Sequence, residues 1–356
     1  MSAGQLPCAG LRGDAAARAR ARSRRARLKS SGEPPTGFVR RRKVGDNTRR
    51  LYSELGDGLL RAARLSRRSL ESPEELDRFL DSQLTELYFA GATAQRARNL
   101  FYAVVWHRDV RPVRLPLSLG TLKGFGREHP DSTRDGVTWE EVLLISNALL
   151  KHPEEEYHLA ACAAFLQFDT YPRPGPFMKL LVGHVLPPTR AKNSTCSKWC
   201  LVFHPSSETG FSKRRTQDDT DPVGSDFATH PGVAEVCHAL HARSSRRGKA
   251  VPFVGLSLAV YERLVSLGAK EAGLGHITPH MLRHGGASHD ALCGAPQDAV
   301  QQRGQWTAQR SCLRYMKHGR YLRRLNALPL GQVDLAHSLE ASLAGRLCRA
   351  IRSHRT

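Results

Sequence analysis

Thr278-Pro279-His280-Met281-Leu282-Arg283-His284 decides how this chain is read, together with Trp306 in Arg303-Gly304-Gln305-Trp306 and Tyr315 in Leu313-Arg314-Tyr315. His280 and Arg283 stand three apart, so on a helix they share one face and reach one anion. An indole N–H donor follows 23 residues after Arg283, and a tyrosine hydroxyl nine residues after that. Together they supply cationic donors for a phosphate, a further hydrogen-bond donor and an oxygen nucleophile. Phosphodiester cleavage by a side-chain oxygen needs such a set. The nucleophile sits in line, fixed positive donors meet the non-bridging oxygens, and an acid protonates the leaving oxygen.

Taken together, these residues and spacings resemble the catalytic C-terminal box of the tyrosine recombinases (the phage-integrase family), which transfer DNA strands. The details are most similar to eukaryotic mobile-element members. The resemblance covers roughly residues 72–325 and is strongest over 278–321. It implies a mainly α fold with a small antiparallel β-sheet: a helical core-binding domain, then a catalytic domain. It also implies attack of Tyr315 on a scissile phosphate, giving a 3′-phosphotyrosyl link that a second 5′-hydroxyl resolves. Because the link conserves bond energy, no cofactor and no metal are implied. Double-stranded DNA is the implied partner, held by a homotetramer, with no membrane and no small-molecule substrate.

The resemblance assigns roles residue by residue. Arg283 and an earlier arginine grip the phosphate, since the planar guanidinium stays charged and binds bidentately. Arg173 in Thr170-Tyr171-Pro172-Arg173-Pro174-Gly175 follows an apolar helix and takes the earlier role. Many members carry an acid three residues later; here the position is Pro176. Lys213, in Gly210-Phe211-Ser212-Lys213, falls where the family's general-acid lysine sits on a hairpin, with Lys192 and Lys198 as rivals. His280 manages the tyrosine's proton or holds the phosphate. Trp306 occupies a position most members give to histidine; its indole donates a hydrogen bond but does not titrate. His284 is a neighbouring group or a helix-face residue outside the core set. Tyr321 is the rival nucleophile, at the wrong spacing from Trp306.

Composition agrees with a polyanionic partner. The 356 residues carry a net charge of +21, which favours nucleic acid. Residues 1–50 hold 14 Lys or Arg against three acids, a net +11, and read as a basic arm. Arg18, Arg20, Arg22, Arg24 and Arg25 lie in its densest part, a DNA-binding or nuclear-import signal by composition. Nuclear localisation is the expectation for a eukaryotic source, with an organelle transit peptide as the alternative. No run approaches the length of an apolar membrane span. Eight scattered cysteines suit reduced thiols better than a disulfide framework. Cys196, Cys200 and His204 lack an evident fourth ligand for zinc.

Outward from the motif, local signals divide the chain into an arm (1–50), a helical clamp (51–130), a catalytic domain (131–328) and a C-terminal amphipathic helix (329–356). Ser72-Pro73-Glu74-Glu75 is a capping box with proline at N1, and Gly91 can end its helix. A second helix runs from about Thr93, with Arg96 and Arg98 off its apolar face for a backbone phosphate. Thr138-Trp139-Glu140-Glu141 is a second capping box, and 157–168 is apolar nearly all round, a central helix. Short runs at 180–188 and 199–204 read as strands, and 231–242 and 257–267 as helices. Leu335, Leu339, Leu343, Leu347 and Ile351 form the terminal stripe, facing its own domain or a neighbouring subunit. Two other readings remain: a decayed recombinase that holds DNA without cutting it, and a type IB topoisomerase-like activity.

Overall fold

The computed structural model describes residues 44–128, 135–191, 194–196, 199–203, 223–224, 230 and 232–354. They fall into two compact units, one on each side of residues 133 and 134. The arm arginines Arg18, Arg20, Arg22, Arg24 and Arg25 lie outside the described residues, as does Lys213.

Among the described residues, four α-helices build the first unit: α1 (Asp46–Leu65), α2 (Pro73–Phe89), α3 (Ala94–His107) and α4 (Pro116–Glu128). α2 starts as its sequence dictates. Ser72 Oγ accepts from Glu75 N–H at 3.1 Å, and Glu75 Oε2 accepts from Ser72 N–H at 3.3 Å. Its C-terminus closes on Gly91, whose φ of +72° a side chain would disfavour. Thr93 caps α3, which leaves Arg96 exposed and Arg98 half-buried. The buried core includes Leu76, Leu80 and Leu84 of α2 with Ala97, Phe101 and Val104 of α3.

Two helices of this unit escape the sequence reading. α1 begins at Asp46, so the last turn of the segment read as arm is helical. Its inward face uses small residues, Gly56 and Ala63, beside Leu59. A Cβ at Gly56 would collide with the His107 ring of α3. α4 lacks a local cap. Asp77 of α2, 2% exposed, accepts instead from the N–H groups of Leu117 and Ser118, each at 2.9 Å.

The second unit holds α5 (Trp139–Leu149), α6 (Glu155–Thr170), α7 (Pro174–Met178), α8 (Val233–Ser245), α9 (Leu258–Glu271), α10 (Pro279–Leu292), α11 (Gln297–Arg303), α12 (Gln309–Leu313), α13 (His318–Asn326), α14 (Leu330–Glu340) and α15 (Leu343–Ser353). α6 is central: every residue from His158 to Thr170 is buried. The β-structure is small. Strands β1 (Val185–Leu186), β4 (Cys200–Leu201) and β5 (Val223–Gly224) form one antiparallel sheet, and β2 (Thr189–Ala191) pairs with β3 (Ser194–Cys196). The fold is thus mainly α with small antiparallel sheets. No helix of the described residues is long and apolar enough to cross a membrane.

The C-terminal stripe forms two helices rather than one, broken at Ala341-Ser342. A four-residue repeat drifts about 40° per step around a helix, so five leucine-type residues cannot share one straight face. Leu339, Leu343, Leu347 and Ile351 are buried against the chain's own core, whereas Leu335 is 45% exposed. Trp139 Nε1–H donates to Glu340 Oε1 at 3.0 Å, tying α14 back to α5.

α10 meets its neighbours through glycine. A Cβ at Gly285 would collide with the Val137 carbonyl oxygen, and one at Gly286 with that of Phe168. This contact seats α10, with His280 and Arg283, directly on the end of α6.

Candidate active site

Arg283 organises the site. Its guanidinium is 2% exposed. One terminal N–H donates to the Tyr171 carbonyl at 2.6 Å and the other terminal nitrogen to the Gly304 carbonyl at 2.8 Å. The charge lies over two rings, 4.4 Å from the Trp306 centroid and 5.0 Å from that of Tyr315. Burial pushes its pKa down to about 10; the neighbouring Tyr315 phenol opposes that shift and the Arg173 charge adds to it. Arg283 therefore stays charged at neutral pH.

Three separated segments thus meet at Arg283, Trp306 and Tyr315, and the charge of Arg173, two residues after Tyr171, is felt at Arg283. Tyr171 and Tyr315 flank the indole of Trp306, at centroid distances of 5.8 and 4.7 Å. Gly304 permits this packing, because a Cβ there would strike the indole. Trp306 Nε1 and Arg283 Nε are buried donors without a hydrogen-bond partner among the described residues. Tyr315 is half-buried. Its ring also stacks on His284, centroids 4.3 Å apart and 23° between planes. His284, set outside the core by its sequence position alone, is therefore a direct neighbour of the tyrosine. His280 stands half-buried in the first turn of α10.

Tyr321, the rival tyrosine, faces away into the core. Its side chain is 4% exposed and its hydroxyl accepts from Trp139 N–H at 3.1 Å. Burial pushes its phenol pKa well up.

The turn that carries Arg173 is held from below. Tyr171 adopts φ +30°, ψ 49°, a left-handed conformation uncommon for a bulky residue. Gln167 Nε2–H donates to the Pro172 carbonyl at 3.2 Å, and Tyr261 O–H donates to Gln167 Oε1 at 2.7 Å. This buried relay supports the turn where Pro176 leaves no carboxylate. No sequence motif points to it, since Tyr261 lies 94 residues from Gln167. Tyr261→Phe is expected to destabilise the fold by about 1–2 kcal/mol by orphaning the buried amide oxygen. Urea melts of the two proteins would measure it, and an unchanged midpoint would show the relay to be inert.

Lys213 belongs to the connection between the antiparallel partners β4 and β5 and lies outside the described residues.

No family model and no curated protein matches this sequence. Solved structures do match. A lambda integrase(75–356) dimer bound to a COC′ core site aligns with TM-score 0.51 at 16% identity, over 78% of this chain and 90% of that one. A lambda integrase tetramer bound to a Holliday junction aligns with TM-score 0.50 at 16% identity, over 78% of this chain and 73% of that one. At such identity the likeness is one of fold, and the fold is that of the lambda integrase chains.

Proposed function

We propose that this chain cuts and rejoins DNA strands as a tyrosine recombinase of mobile-element type. The arrangement of Arg283 carries the reading: a buried guanidinium, anchored by two backbone carbonyls, lies against the Tyr315 ring and within electrostatic reach of a second arginine. Two like charges at one site favour an anion, and a phosphodiester supplies one. Arg283 spends two of its five N–H donors on carbonyls, which leaves donors for non-bridging oxygens. Trp306 Nε1–H adds another.

In this reading the Tyr315 oxygen attacks the scissile phosphorus. A 3′-phosphotyrosyl bond forms as the bond to the 5′-oxygen breaks. His280 takes up the tyrosine proton and Lys213 protonates the departing 5′-oxygen. A second strand's 5′-hydroxyl then attacks the phosphotyrosyl phosphorus, releasing Tyr315 and closing the new backbone. Arg96 and Arg98 on α3 serve as backbone-phosphate contacts, and the arm arginines add salt-dependent affinity. Synapsis as a homotetramer on double-stranded DNA follows from the two-strand exchange, the assembly seen in the lambda integrase tetramer on a Holliday junction.

Nicked duplex DNA from the protein's own genomic flanks tests the proposal. Cleavage beside the nick frees a short fragment and traps the protein on the 3′-end. Denaturing gels should then show a covalent adduct, mapping to the Tyr315 peptide. Tight binding without adduct would leave a DNA-holding module. Supercoil relaxation without strand exchange would mark a topoisomerase.

A further inference from the structure

We infer that Ser288 is a positioning residue for Tyr315: its hydroxyl fixes the backbone that carries the tyrosine, and so sets where the phenol oxygen stands. The role rests on the proposed reaction; the contacts do not depend on it. Tyr315 lies in the short connection between α12 and α13, residues 314–317. Such a connection has no hydrogen-bond ladder of its own. Tyr315 N–H and Met316 N–H turn back to the Cys312 carbonyl, at 2.8 and 3.2 Å, and complete the end of α12. Ser288 takes up the groups that follow. Its hydroxyl donates to the Tyr315 carbonyl at 2.9 Å, and its oxygen accepts from Lys317 N–H at 2.9 Å.

A serine inside a helix often returns its hydroxyl to a carbonyl one turn back. Ser288, fully buried in α10, spends it instead on a segment 27 and 29 residues further along the chain. Close approach makes this possible, because the adjacent Ala287 packs in one buried cluster with Trp306 and Cys312. His284 stands one turn before Ser288, on the same helix face. That face of α10 thus meets Tyr315 twice. His284 lies against its ring, with 4.3 Å between centroids, and Ser288 holds its backbone.

The two contacts do different things. Stacked rings keep favourable contact over a range of centroid separations. His284 and Trp306 therefore set the plane of the phenol more firmly than its place within that plane. Hydrogen bonds are directional and hold donor and acceptor within a few tenths of an ångström. The pair made by Ser288 brackets Met316 from both sides, and so defines where the Tyr315 backbone stands. In-line attack is sensitive to that position: a misplacement of about 1 Å costs about 10²-fold in rate. Ser288 reaches the reaction only through Tyr315.

Full-length Ser288→Ala and Ser288→Cys test this. Cysteine keeps the bulk of the side chain but is a weak donor and acceptor, so the test survives poor folding of the alanine variant. Circular dichroism establishes the fold of each. Hydrogen exchange on the free protein reads the contacts without DNA. The Lys317 amide should exchange about tenfold faster in either variant, while peptides of α6 stay unchanged. Unchanged exchange at Lys317 overturns the inference. With protein in excess over nicked duplex, the adduct should form about 10²-fold more slowly in Ser288→Ala, and at an intermediate rate in Ser288→Cys. DNA affinity should stay within about threefold of wild type. Wild-type cleavage rates in both variants overturn the positioning role. Affinity that falls in step with rate also overturns it, because general loosening would then explain both. No adduct from the wild type overturns the proposed reaction instead, and the exchange result still decides whether Ser288 holds the Tyr315 backbone.

Discussion

Tyr315→Phe is expected to abolish the covalent protein–DNA adduct on nicked substrate while leaving folding and DNA affinity close to wild type. The reasoning is geometric. Phenylalanine keeps the ring, and with it the stacking on His284 at 4.3 Å, on Trp306 at 4.7 Å and against Arg283 at 5.0 Å. What disappears is one oxygen, and that oxygen is the proposed nucleophile. Its loss removes an interaction with Arg283, so stability should fall by no more than about 1 kcal/mol. Tyr321→Phe makes the matching control. Its hydroxyl accepts the buried Trp139 N–H at 3.1 Å, so removal strands a donor and costs about 1–3 kcal/mol. The adduct should persist in that variant wherever it remains folded. Gels, thermal melts and filter binding on the three proteins suffice. Adduct formation by the phenylalanine variant at position 315 would remove Tyr315 from its role.

The difference between these two tyrosines shows which parts of the molecule its sequence spells out. Where a signal and its consequence lie within one turn, the residues announce the structure. Ser72 and Glu75 cap α2, Thr138 and Glu141 cap α5, and Gly91 ends a helix with its own positive φ. Spacing along the chain ranks Tyr315 above Tyr321 as the nucleophile, and the structure sets Tyr315 against Arg283 and Trp306 and Tyr321 in the core. Partners far apart in sequence leave no such mark. α4 goes unread because its capping carboxylate is Asp77, some 40 residues upstream. Tyr261 and Gln167 support the Arg173 turn across 94 residues, and Asp169 meets His230 across 61. α1 fails for another reason: its inward face is partly glycine and alanine, which close packing favours and hydrophobic periodicity overlooks. The terminal leucines misled in the opposite sense, their four-residue repeat suggesting one helix where two were needed to bury it. His284 was visible as a residue, but its ring contact with Tyr315 depends on how the segment after α12 folds back over α10.

Arg283→Lys is expected to reduce strand cleavage about 10³-fold and to lower stability by about 2–4 kcal/mol. Charge alone does not fill this position. The guanidinium reaches the Tyr171 and Gly304 carbonyls simultaneously, at 2.6 and 2.8 Å, while its flat face covers the Trp306 ring at 4.4 Å. Those two carbonyls belong to the Arg173 turn and to the Trp306 loop, so one side chain holds both to α10. A lysine ammonium is a compact point charge on a flexible stem and cannot bridge them or stack. One buried carbonyl would lose its donor, and the Trp306 loop its tether. The pH profile then separates geometry from charge. Burial brings the arginine to about 10, so wild-type cleavage should not fall through loss of this charge between pH 7 and about 9. Lysine starts from a lower intrinsic pKa and meets the same desolvation, which favours its neutral form. Its charge, and with it the residual activity, should be present at low pH and decline as pH rises through the depressed pKa. A lysine variant with near-normal cleavage and a flat profile would show that the two carbonyl contacts do not matter. The proposed site would then lose the arrangement on which it rests.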